Sequence, residues 1–185
     1  DDGLANRILV SASNGISLIG GATGNFSQIG NGGYNVGGNI VGSVYVNYNP
    51  DTDTLTGGGD VLVRGGNAQD AFARIGAGGL GINGSKTGEV VVAGDSVTVV
   101  TGTGNAAFAQ IGIGTGIDGG GAQQEGGVLT GDTTVIATVG DVVVDATLGA
   151  SQTFAQIDPW QERVNGKDAH EFAAMAEFGM PVAAE

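Results

Sequence analysis

The sequence predicts an all-β fold, a parallel β-helix of about four coils with three strands each, followed by a short α-helical tail. Three observations predict it. The unit Phe-Ala-Gln-Ile-Gly at 108–112 returns as Phe-Ser-Gln-Ile-Gly at 26–30, Phe-Ala-Arg-Ile-Gly at 72–76 and Phe-Ala-Gln-Ile at 154–157. Its starts lie 46, 36 and 46 residues apart, a spacing that marks solenoids and arrays. Glycine makes up 38 of 185 residues and proline 3, with no Gly-X-Y period, which excludes collagen and favours short strands joined by tight turns. Finally, two runs rich in β-branched residues precede every Phe unit.

Those runs can be taken in order. Before Phe26 stand Arg7–Ser11 and Gly15–Ile19; before Phe72, Asn39–Asn47 and Asp60–Arg64. Before Phe108 stand Glu89–Ala93 and Asp95–Val100; before Phe154, Asp132–Thr138 and Asp141–Asp145. Each is short and bounded by Gly, Asn or Asp, as a strand should be. From Asn14, Asp60, Asp95 and Asp141 to the following Phe is 12, 12, 13 and 13 residues. The second strand, its turn and the Phe strand therefore form a fixed unit. The variable part follows each Ile-Gly and is longest at 112–131. Insertions gathered at one corner are what a solenoid tolerates.

The units Phe26–Gly30, Phe72–Gly76, Phe108–Gly112 and Phe154–Ile157, preceded by Gly-Asp-Val strands and followed by Gly-rich loops, resemble the repeats of filamentous-haemagglutinin-like secreted bacterial adhesins. The resemblance covers about residues 7–157. It implies a right-handed parallel β-helix, export, and a place at the cell surface or in the matrix, and it carries over no catalytic residue. Adhesins of that kind are far longer and have an amino-terminal secretion domain that this sequence does not contain.

Side-chain facing follows from strand alternation. The third position of the unit holds Gln28, Arg74, Gln110 and Gln156. Arginine is almost never fully buried unless paired. The expectation is therefore that Ala73, Ile75, Ala109, Ile111, Ala155 and Ile157 point inward. Phe26, Phe72, Phe108 and Phe154 then stack as an outward column. The alternative reverses the two faces and places Phe in the core.

After Ile157 the composition changes, and only 2 of the 38 glycines lie beyond it. The chain divides into a repeat domain at 1–157 and a tail at 158–185. Asp168-Ala-His-Glu171 reads as a capping box, Phe172, Met175 and Ala176 as an apolar stripe, and Gly179 with Pro181 as a stop, giving a helix at about 169–178. Trp160, Phe172, Met175 and Phe178 are the residues expected to dock this tail. It either caps its own last coil or clasps a neighbouring subunit.

Composition narrows function further. The formal net charge is −13, and residues 1–157 hold 13 acids against 4 bases. Phosphate binding needs clustered Lys and Arg, so neither nucleic acid nor an anionic membrane surface is an expected partner. No apolar stretch approaches the roughly 20 residues of a membrane span. There is no cysteine, which removes disulfides, thiol catalysis and thiolate metal sites. The sequence begins Asp1-Asp2 without a signal-like segment, as expected of a processed product or an excised piece of an exported protein.

The chemical motifs are fragmentary. Gly76-Ala-Gly78-Gly79-Leu-Gly81 matches the bare dinucleotide pattern, yet the following residues read as a strand, and a helix amino terminus is what holds the pyrophosphate. Gly84-Ser-Lys86-Thr87 is a broken phosphate loop. His170, the single histidine, falls in the tail. Asp60, Asp95 and Asp141 are expected to recur on neighbouring coils about 5 Å apart, where like charges repel. They either splay into water or hold Ca²⁺, which takes oxygen ligands. No other cofactor and no enzymatic activity are expected. The reading that results is a structural subunit of an extracellular filament or surface layer, self-assembling head-to-tail. The alternative is a fragment of a large adhesin that binds a surface through its loops.

Overall fold

Valine, isoleucine and threonine favour the pleated, half-buried surface of a strand, and they fill the strands seen here. The computed structural model of the chain describes residues 6–116, 127–149 and 153–157. The first coil carries β1 (Arg7–Val10), β2 (Ile16–Ile19), β3 (Ser27–Ile29), β4 (Gly32–Tyr34) and β5 (Ile40–Val41). The second begins with β6 (Ser43–Val46), then a hairpin of β7 (Tyr48–Asn49) and β8 (Thr54–Leu55). It continues with β9 (Val61–Arg64), β10 (Ala73–Ile75), β11 (Gly78–Leu80) and β12 (Lys86–Thr87). The third holds β13 (Val90–Gly94), β14 (Val97–Val100), β15 (Ala109–Ile111), β16 (Gly114–Gly116) and β17 (Leu129–Thr130). The fourth holds β18 (Thr133–Ala137), β19 (Val142–Asp145) and β20 (Ala155–Ile157).

Equivalent strands of successive coils pair in parallel. Three four-stranded sheets run β1-β6-β13-β18, β2-β9-β14-β19 and β3-β10-β15-β20. Two three-stranded sheets run β4-β11-β16 and β5-β12-β17. Among the described residues only the β7–β8 hairpin is antiparallel, and none of them is helical. The helix expected at about 169–178 lies outside the described residues.

The repeat unit is thus richer than three strands. The stretch after each Ile-Gly, expected to be a variable corner, holds two further stacked strands. Sequences such as Gly-Gly-Tyr and Gly-Gly-Leu have little strand propensity of their own. Neighbouring coils hold them in place: the Gly78 N–H donates to the Asn31 carbonyl at 2.8 Å, and the Gly114 N–H to the Ala77 carbonyl at 3.0 Å. Glycine is required where the chain leaves the Phe strand. Gly76 sits at φ +130°, and a Cβ there would lie 2.0 Å from the Gly112 carbonyl oxygen of the next coil.

The central core is a set of aliphatic columns. Val44, Val46, Val63, Ile75, Val92, Val97, Val99 and Ile111 are fully buried in one cluster. Burying one such side chain stabilises by about 1.5–3 kcal/mol. A polar staple closes the β6 end. Asn47, at φ +54° and fully buried, accepts the Ala12 N–H through Oδ1 at 2.9 Å. Its Nδ2 donates to the Ala93 carbonyl at 3.0 Å. One side chain therefore joins coils one, two and three.

Candidate functional site: an aromatic and amide seam

The Phe units build one continuous seam along the stack. Strand register aligns Ser27 with Ala73, Ala73 with Ala109 and Ala109 with Ala155, so the preceding phenylalanines fall in one column. The Phe26 and Phe72 rings lie 4.7 Å apart at 3°, Phe72 and Phe108 4.8 Å apart at 2°, Phe108 and Phe154 4.7 Å apart at 10°. These separations are close to the spacing of hydrogen-bonded strands, about 4.8 Å. The backbone repeat itself thus sets the rings face to face.

Facing agrees with the expected face, but the environment of the column differs from expectation. Ala73, Ile75, Ala109 and Ile111 lie in the central core, with Ala155 and Ile157 packed against it. Phe72 and Phe108 form a second buried cluster with Leu80 of β11, and Phe154 packs against it. Leu80 comes from the unanticipated strand, so the outward column is roofed and shielded from solvent. Phe72 and Phe108 are 0 % exposed, whereas Phe26 at the end of the column is 40 % exposed.

The third position of the unit shares this second compartment. Arg74 is fully buried, contrary to the expectation that an arginine there stays in solvent. Carbonyl oxygens partner it. Its Nη1 donates to Gly114, and its Nη2 donates to Ala77 and Gly112, all at 2.8 Å. Gln28 repeats the pattern one coil earlier: its Nε2 donates to Asn31 at 3.2 Å, Gly76 at 3.2 Å and Gly78 at 3.1 Å. Asn31 and Ala77 are equivalent positions, as are Gly76 and Gly112, and Gly78 and Gly114. Each side chain thus bonds one carbonyl of its own turn and two glycine carbonyls of the following coil. Burial pushes Arg74 down to about 9. Gln110, the next member, is also fully buried, and Gln156 of β20 is half-buried.

The aspartates do not form the expected column. Val61, Val97 and Val142 are register partners, so the residues preceding them, Asp60, Ser96 and Asp141, align. Asp95 stands one place earlier, and Ser96 separates the two carboxylates. The Asp95 carboxylate accepts the Thr138 hydroxyl at 3.3 Å. Equal counts to Phe concealed the slip: the extra residue precedes the strand in coil three and follows it in coil four. Among the described residues no three His, Asp or Glu side chains converge where a metal ion could be held.

The nucleotide-like motifs are structural elements. Gly78–Leu80 is β11, and Lys86 lies in β12, buried, with Nζ donating to the Ile82 carbonyl at 3.1 Å. A trough lined by Ile19, Arg64, Asn67, Thr101, Thr103 and Leu148 lies beside the second sheet, and among the described residues no carboxylate or imidazole lines it. Trp160, Phe172, Met175 and Phe178 lie outside the described residues. Sequence reasoning missed the roofing Leu80, the Asn47 staple and the hairpin. Only the hairpin had a local signal, in Asn49-Pro-Asp-Thr-Asp53, a cluster of turn formers between Tyr48 and Leu55.

The seam runs out at both end coils. Val97 and Val99 are fully buried, but their register partners in coil four, Val142 and Val144, are 43 % and 48 % exposed. Leu9, Ile19 and Phe26 are exposed in coil one. No family model, no curated protein and no solved structure matches this chain.

Proposed function

We propose that this chain is a structural subunit that associates head-to-tail, coil four of one copy stacking on coil one of the next, to build an extracellular filament or surface layer. The observation that carries this reading is the opening of Val142 and Val144, whose partners Val97 and Val99 one coil below are completely covered. Among the described residues, the same pattern is buried where a further coil stacks on it and exposed in coil four. Strand edges with unpaired backbone groups template further pairing. A contact between two different ends of one molecule is heterologous and propagates when the rotation does not close. The resemblance of the Phe units to repeats of secreted fibrous adhesins supports an exported, right-handed solenoid of this kind.

Sedimentation velocity across a concentration series, with negative-stain images of the same samples, tests the reading. The expected result is a concentration-dependent series of oligomers and rods of constant width. A single monomeric species at every concentration overturns it.

A further inference from the structure

We infer that the Phe and Gln seam sets the register of the junction between copies, and that Gln156 of one copy is its specificity determinant. This rests on the head-to-tail reading above and names the atoms that would meet. Inside the chain, the third-position side chain reaches two glycine carbonyls on the coil that follows it, Gln28 to Gly76 and Gly78, Arg74 to Gly112 and Gly114. The equivalent carbonyls of coil one are Gly30 and Gly32, which receive no side-chain donor among the described residues. At the other end, the backbone of Gln156 pairs with β15, but its side-chain amide has no hydrogen-bond partner among the described residues. The two ends are complementary: spare donors on one and spare acceptors on the other, on the same sheet.

The backbone agrees with the same register. Ala73 donates to the Phe108 carbonyl and Ala109 to the Phe154 carbonyl, so Ala155 would donate to Phe26 of the second copy. Gly76 donates to the Ile29 carbonyl and Gly112 to the Ile75 carbonyl, so Gly30 of the second copy would donate to Ile157. Phe154 would then stack on the exposed ring of Phe26, and Ala155 would face Ser27. A slip of one residue would place Phe against Ser27 and turn every donor to the wrong face.

The register can be trapped, because the native chain has no cysteine. Parallel partners lie about 4.8 Å apart, within the Cα separation a disulfide spans, roughly 4.4–6.8 Å. Full-length Ser27→Cys and Ala155→Cys variants are mixed, oxidised and mapped by mass spectrometry. The expected product is the 27–155 heterodisulfide, absent from either variant alone. Gln156→Met and Gln156→Glu should each weaken association at least about tenfold, since a lost donor or an added acceptor leaves buried carbonyls unpaired. Gln156→Arg, which copies Arg74, should retain it. Rods that form normally without the 27–155 link, or with Gln156→Glu unaffected, overturn the register and leave head-to-tail assembly standing. Symmetric 27–27 or 155–155 links, or no association of the native chain, overturn both.

Discussion

Arg74 stands in register with Gln28 one coil below it and makes the same three kinds of hydrogen bond, to its own turn and to two glycine carbonyls of the coil above. An amide and a guanidinium thus fill one structural role, although only the second carries a charge into a buried compartment. Carbonyl oxygens accept one hydrogen bond from Nη1 and two from Nη2, while Nε finds no partner.

Replacing Arg74 should therefore show the cost of that charge. Arg74→Gln restores the residue found in the other three units and is expected to stabilise the fold by about 1 kcal/mol, because an amide is desolvated more cheaply than an ion. Arg74→Met, which takes their side-chain donor from the buried Gly112 and Gly114 carbonyls, should destabilise by about 3 kcal/mol. Denaturant unfolding of both variants checks the order; Arg74→Met equal to the native chain would refute it.

The same residue predicts a pH dependence. Burial lowers its folded pKa to about 9, well below the usual guanidinium range. Above about 9 the unfolded chain binds the extra proton, so native stability should rise with pH there. Below about 9 both states are protonated and the penalty is constant. The stability gap between the native chain and Arg74→Gln should be flat up to pH 9 and narrow above it. A gap that stays constant to pH 11 would show that the carbonyls hold the guanidinium charged.

The ring column should be graded by burial. Phe72→Ala removes a ring stacked on both faces and is expected to cost about 3–5 kcal/mol. Phe26→Ala removes a ring that is 40 % exposed and stacked on one face, and should cost less than half as much. Equal losses would mean that the column acts only through strand register.

Coil stacking should fail where a side chain enters the backbone contact. A Cβ on Gly78 would lie 1.7 Å from the Gly114 oxygen and 2.8 Å from Arg74 Nη1, at φ +129°. Gly78→Ala is expected to cost more than about 3 kcal/mol, well beyond an ordinary point change. Gly37, whose nearest such neighbour is 3.6 Å away, should accept Ala within about 0.5 kcal/mol. Thermal unfolding of the pair decides.

The staple at Asn47 needs both halves of its amide. Asn47→Asp keeps the acceptor for Ala12 but cannot donate to Ala93, and it buries an added charge; a loss of about 2–4 kcal/mol is expected. Asn47→Ala should lose about 2–3 kcal/mol through two unpaired backbone groups and a left-handed φ that Ala disfavours. Hydrogen exchange at Ala12 should accelerate in both. Protection unchanged at Ala12 would show that the staple is incidental.

What the sequence by itself determined is the repeat. The Phe units and the β-branched runs dictate strands, their alternation puts Ala73 and Ile75 on the face opposite Phe72 and Arg74, and the return of the same unit once per coil puts the rings in one column. These follow from local periodicity, which any stretch of chain carries within itself. The tertiary structure alone decided what covers the outer face. Arg74 was expected in water because arginine is almost never fully buried unless paired; two of its three partners, the Gly112 and Gly114 carbonyls, lie on the next coil. Leu80 roofs Phe72 from a strand with almost no propensity of its own, held only by its neighbours. The one-residue slip of Asp95 against Asp60 and Asp141 is likewise invisible to counting, because compensating insertions on either side of a strand leave the total unchanged. Hydrogen bonds between coils, made by residues far apart in the chain, choose among registers that the sequence leaves equal.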